Sequence, residues 1–126
     1  MPLDSPDAVE PMDEQALPPA DALALARDLL GRGRPFFAHD VLEAVWKVAP
    51  AVERDLWQGL AQVCVGLTHQ QRHNPVGAAR LLRRGAGLLA GYAGPAYGVD
   101  PIAVSRQAVA VADAVEADRR PPGLVL

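Results

Sequence analysis

Apolar residues recur at steps of three and four along most of the chain, the spacing that places them on one face of an α-helix. The longest such run lies at about residues 52–72. Its apolar positions are Leu56, Leu60, Val63, Cys64 and Leu67. We expect this helix to lie at the centre of the fold, because it is the longest and its middle is the most apolar. No segment alternates with the period of two typical of an amphipathic strand.

Start and stop signals divide the rest of the chain into four more helices. Pro19 and Gly31 bound the first, and the second spans about Phe36–Val48. Asn74 and Asp100 each combine a capping side chain with a following proline, and so begin the fourth and fifth helices. The sequence therefore predicts an all-α fold, a single-domain bundle of about five helices built from antiparallel helical hairpins.

Composition separates this helical part from both ends of the chain. Residues 1–18 contain four prolines and five acidic residues with no basic residue, so we expect a disordered acidic tail there. The helical domain is expected at residues 19–120. The apolar residues at 121–126 are expected to form a short C-terminal tail.

Charge and cysteine content argue against several classes of function. The formal net charge is −3 and the arginines are scattered, which argues against nucleic-acid binding. No apolar run approaches the roughly 20 residues of a membrane-spanning helix, so we expect no membrane partner. The first residues lack a secretory signal and the single cysteine excludes an internal disulfide. These features favour a cytoplasmic location.

One stretch breaks the apolar pattern, because Phe36–Trp46 carries His39, Asp40 and Glu43 on a helix that is otherwise apolar. A polar stripe also follows one side of the third helix: Arg54, Gln58, Gln62 and His69. The short link between the second and third helices favours an antiparallel hairpin. In such a hairpin the two polar faces meet.

Two interpretations of this cluster do not involve a metal. In one, Glu43 pairs with Arg54 and the glutamines bond to His39 or to backbone, so that the network fixes the helix register. In the other, the same groups line a pocket for a small polar ligand, with Trp46 and Trp57 beneath it. The sequence leaves both open.

The third interpretation is a divalent metal site. His39, Glu43 and His69, helped by Asp40 or His73, offer ligands suited to zinc, iron or manganese. A metal-bound water would then carry out hydrolysis, with Asp40 or Glu43 as the general base and candidate catalytic residue. The sequence has no His-Glu-x-x-His motif and no serine-nucleophile or nucleotide-binding motif. Whether the protein is an enzyme stays open.

Protein interaction is a further class of function, with the apolar stripe of helix five as the seam of a homodimer.

The motif Phe36–Trp46, followed by Arg54, by Gln58–Gln62 and by Asn74–Ala78, resembles the small bacterial and archaeal proteins of domain-of-unknown-function family 309. The resemblance covers roughly residues 22–105. This chain has His39-Asp40 where the family usually has His-Glu. It also has a histidine before the asparagine-led helix, where glycine is more frequent.

This resemblance implies an α-helical bundle, and proteins similar to this one sometimes have the label of metal-dependent hydrolase. By position, the polar signature of the family falls on seven residues, which we take as candidate ligand-binding residues. They are His39, Glu43, Trp46, Arg54, Gln58, Gln62 and Asn74.

Overall fold

The structure is a computed structural model that describes residues 16–126. This part of the chain contains five α-helices and no strand, so the predicted all-α class is confirmed. The helices are α1 (Pro19–Gly31), α2 (Pro35–Val48), α3 (Arg54–Gln71), α4 (Pro75–Ala90) and α5 (Pro101–Glu116). Most of the predicted tail at residues 1–18 lies outside the described residues.

The helices pack in the order of the chain, each against the one before it. Links of a few residues join α1 to α2, α2 to α3 and α3 to α4, so neighbouring helices run antiparallel. The central position predicted for the third helix is confirmed, since α3 contacts both α2 and α4. The link before it contains a 3₁₀ turn at Ala51–Glu53. The α2–α3 hairpin therefore forms as expected and positions the polar residues.

Both predicted helix starts after a capping residue are confirmed. The Asn74 side chain accepts a hydrogen bond from the Gly77 backbone at 3.3 Å, and that of Asp100 accepts one from the Ala103 backbone at 3.1 Å. Each bond satisfies one of the backbone N–H groups that a helix leaves free at its first turn.

The α3–α4 contact is close because glycine lies in it. A Cβ atom on Gly85 would come within 2.7 Å of the Gly59 carbonyl oxygen and 2.8 Å of Val63. A Cβ on Gly87, by contrast, would meet nothing within 4 Å. Gly87 lies on the opposite side of α4 from α3, whereas Gly85 lies in the contact between the two helices.

The last residues of the chain lie against the bundle without forming a helix. Val125 exchanges two hydrogen bonds with the Gln107 side chain, both at 2.9 Å, and Leu124 and Leu126 are partly buried. Across residues 16–126, none of the helices combines the length and apolar character needed to cross a membrane.

Candidate functional site

A pocket of about 140 Å³ lies between α2 and α3. The α2 side chains lining it are His39, Glu43 and Trp46, and those of α3 are Gln58, Ala61, Gln62 and Val65. On each helix these positions are three or four residues apart, so each set shares one face. The hairpin brings the two faces together, as the sequence predicted, and most of the candidate ligand-binding residues meet there.

Three polar atoms of this lining are buried without a hydrogen-bond partner in the described part of the chain. They are Nδ1 of His39, Nε1 of Trp46 and Oε1 of Gln62. Burying a polar group without a partner costs on the order of 1–3 kcal/mol. Three such atoms around one cavity are expensive for a purely structural arrangement, and they leave hydrogen-bonding capacity for a molecule that enters it.

His39 lies between two carboxylates. Its Nε2 is 3.8 Å from Oε1 of Glu43, and its Nδ1 is 3.4 Å from Oδ1 of Asp40. The contact with Asp40 has the distance of an ion pair but lacks the angles of a hydrogen bond. Nδ1 therefore has no hydrogen-bond partner within the described residues. The imidazole is 18% exposed and both carboxylates are far more exposed. Potential ligand atoms of the three side chains lie within 4.8 Å of one another.

One interpretation of the sequence required Arg54 to pair with Glu43, and this is wrong. Within residues 16–126 no ion pair joins them, and the Arg54 guanidinium instead lies 4.6 Å from the centre of the Trp46 ring. The reason is the register of the hairpin. Arg54 is the first residue of α3 and faces the last turn of α2, which holds Trp46. Arg54 thus covers one face of the indole from outside the pocket lining.

His69 and Asn74 lie away from this pocket. The Asn74 amide donates to Nδ1 of His69 at 3.0 Å while its oxygen caps α4. A Cβ on Gly77 would come 3.1 Å from that same His69 nitrogen, so the ring faces α4. The structure therefore does not bring His69 to His39 and Glu43, and Asp40 is the third side chain of that group. His73 is exposed, with a left-handed backbone at φ 59°, in the turn before α4.

Trp57 belongs to the core and to a second polar network. Its side chain is fully buried and its Nε1 donates to Oε1 of Glu53 at 3.2 Å. The Tyr97 hydroxyl donates to Oε2 of the same carboxylate at 2.6 Å. Sequence reasoning missed Glu53. The available signal was its position four residues before Trp57 on one helical face.

Cys64 is buried in the core, and burial raises the pKa of its thiol to about 12. A thiol with such a pKa holds its proton at neutral pH and is a poor nucleophile. Cys64 thus belongs to the buried apolar face of α3, as its helical spacing predicted.

Comparison with known proteins finds a match to a family whose function is unknown. A family model described as "Domain of unknown function (DUF309)" matches residues 23–81, which extend from α1 into α4. Over 48 residues the chain is 42% identical to "Uncharacterized protein YpuF" of Bacillus subtilis (strain 168). That stretch is 37% of this chain and only 28% of the relative. No solved structure matches the chain.

Proposed function

We propose that this protein, whose residues 23–81 match the DUF309 family model, binds a small polar molecule in the pocket between α2 and α3. The observation that carries the proposal is a set of three buried, unpartnered polar atoms that belong to residues lining the pocket. A family of unknown function neither supplies a ligand nor conflicts with one. A cytoplasmic location is part of this proposal.

The chemistry of the wall restricts the ligand. The Trp46 indole N–H only donates, so it needs an acceptor, whereas the Gln62 amide oxygen only accepts and needs a donor. A molecule that carries both, such as an amide, satisfies the two groups together. The cavity of about 140 Å³ is well below the roughly 300–1,000 Å³ of pockets for drug-sized ligands. The ligand is therefore a small metabolite or one end of a larger one.

Thermal unfolding with three matched probes tests this proposal. Acetamide carries a donor and an acceptor, acetate only acceptors, and methylammonium only donors. We expect acetamide to raise the melting temperature most, because a ligand that binds only the folded state stabilises it. At best a ligand gains about −1.5 kcal/mol per non-hydrogen atom, so millimolar concentrations of these probes are needed.

Variants show whether the stabilisation comes from this pocket. Trp46→Phe and Gln62→Leu should remove the response to acetamide. Gln70→Leu is the matched control, since Gln70 is on the same helix but outside this pocket. An equal response from all three probes, or a response that survives both pocket variants, would contradict the proposal.

A divalent cation is the second candidate ligand, favoured by the closeness of His39, Asp40 and Glu43. An imidazole nitrogen and two carboxylates suit zinc, iron or manganese. Metal-dependent hydrolysis would follow if the cation polarised a water and a free carboxylate of the group removed its proton.

Calorimetric titration with Zn²⁺ and Mn²⁺ tests the cation directly. We expect about one ion per chain, with binding lost in His39→Ala and Asp40→Asn. His73→Ala is the matched histidine control and should bind as the native chain does. Binding that His39→Ala leaves unchanged would eliminate this candidate.

A further inference from the structure

Two phenylalanines at the start of α2 are exposed to solvent, each with an arginine beside its ring. Phe36 is 44% exposed and Phe37 is 51% exposed, and their rings meet edge to face at 6.1 Å. The guanidinium of Arg72 lies 5.8 Å from the Phe36 ring centre, and that of Arg34 lies 6.0 Å from the Phe37 ring centre. We call these four residues the aromatic–basic patch.

Two turns of the chain hold the patch together. Arg34 lies in the α1–α2 turn and Arg72 in the α3–α4 turn, and the Gln71 side chain donates to the Gly33 carbonyl at 2.9 Å across them. Neither arginine forms an ion pair with another residue in 16–126, unlike Arg32, which pairs with Asp28 at 3.0 Å. The patch thus presents two positive charges over apolar rings.

We propose that residues 1–15 of this chain bind the aromatic–basic patch. This segment carries five acidic residues and no basic one, together with apolar residues between the acids. Its acids are Asp4, Asp7, Glu10, Asp13 and Glu14, and its apolar residues include Leu3, Val9 and Met12. Carboxylates complement the two arginines, and apolar side chains cover the exposed phenylalanine rings.

Distance and connectivity favour this segment over a separate acidic peptide. α1 separates Ala16 from the patch by about 13 residues, or roughly 20 Å at the helical rise. Fifteen residues reach up to about 50 Å when extended. Because the segment is tethered, its effective concentration at the patch is on the order of millimolar. A free peptide has no such advantage.

The occupied patch borders the pocket between α2 and α3. The Phe36 ring centre is 5.7 Å from that of His39, which lines the pocket. A segment bound over Phe36 would therefore also lie close to His39. The contact is argued from the patch alone and does not depend on the ligand proposed above.

Paramagnetic relaxation in the full chain tests the contact. Ala8→Cys introduces one reactive thiol for a nitroxide label, because Cys64 is fully buried. We expect the backbone amide signals of Phe36, Phe37 and Arg72 to lose most of their intensity when the label is oxidised. The signals of Ile102 and Ala103, in the first turn of α5 and beside the far end of α4, should keep theirs.

Charge variants separate this contact from a chance encounter. Replacing the five acids by their amides should restore the patch signals, and so should the double variant Arg34→Gln with Arg72→Gln. Arg80→Gln is the matched control and should restore nothing. Unchanged patch signals in the labelled native chain would overturn the proposal. Signal loss that appears only when nitroxide-labelled chains are mixed with isotope-labelled chains would also overturn the proposal. The segment bound to the patch would then belong to a second copy of the chain.

Discussion

Trp46 and Gln62 face one cavity from two neighbouring helices, and within residues 16–126 neither the indole N–H nor the amide oxygen has a hydrogen-bond partner. One is a donor and the other an acceptor, so the two groups are complementary to a ligand that carries both functions.

Gln62→Leu should leave the free energy of unfolding unchanged or raise it by about 1 kcal/mol, since it removes a buried acceptor without a partner. Chemical denaturation of the native and variant chains measures this. If Gln62 instead belongs to a structural network, the variant should lose about 1–3 kcal/mol. Gln70→Leu provides the comparison for a leucine added to the same helix outside the pocket.

The hydrogen bonds that Glu53 accepts should contribute measurably to the free energy of unfolding. Glu53 is 7% exposed and accepts hydrogen bonds from both Trp57 and Tyr97. Glu53→Leu leaves the buried Trp57 N–H without a partner, so we expect the unfolding free energy to fall by about 1–3 kcal/mol. Asp55→Leu, at an exposed acid two residues further along the chain, should change it by less than about 0.5 kcal/mol. Equal effects of the two variants would contradict the network.

Stability should depend on alkaline pH through Tyr97. The hydrogen bond to the Glu53 carboxylate raises the pKa of Tyr97 above its ordinary 10.0, because it favours the protonated phenol. The folded state then binds the proton more tightly than the unfolded state. The stabilisation is therefore complete below pH 10 and lost as pH rises through the folded pKa. Unfolding of Tyr97→Phe should depend less on pH in this range. A parallel dependence in both chains would exclude Tyr97 as the group.

Two glycines on α4 offer a matched pair for the α3–α4 contact. Gly85→Ala places a methyl group 2.7 Å from the Gly59 carbonyl oxygen, so we expect a loss of about 1–3 kcal/mol from overpacking. Gly87→Ala meets nothing within 4 Å and removes a weak helix former, which should add about 0.5–1 kcal/mol. Thermal unfolding that ranks the two variants in the opposite order would contradict the packing described here.

Local signals were sufficient to predict the fold. The pairing of Asn74 and Asp100 with prolines marked helix starts that the structure confirms, and the spacing of Leu56, Leu60 and Val63 identified the central helix. These features depend on neighbours along the chain. A homodimer through α5 stays a prediction.

The site was only partly predictable because it depends on the register between helices. His39 and Glu43 are four residues apart on one helix, so the sequence alone predicts that they share a face. The position of Arg54 over Trp46 depends on which turns of α2 and α3 lie opposite each other. The rotation of His69 toward α4 depends on the bond from Asn74. Neither relationship is encoded in a local pattern.

The most direct test of the central claim is the ¹H–¹⁵N resonance of the Trp46 indole during titration with acetamide. Trp46→Phe assigns the signal, and the Trp57 indole, already bonded to Glu53, is the internal control. We expect the Trp46 signal to move downfield and saturate while that of Trp57 stays in place, with no movement in Gln62→Leu. A Trp46 signal that does not saturate, or that moves together with Trp57, would contradict a ligand pocket between α2 and α3.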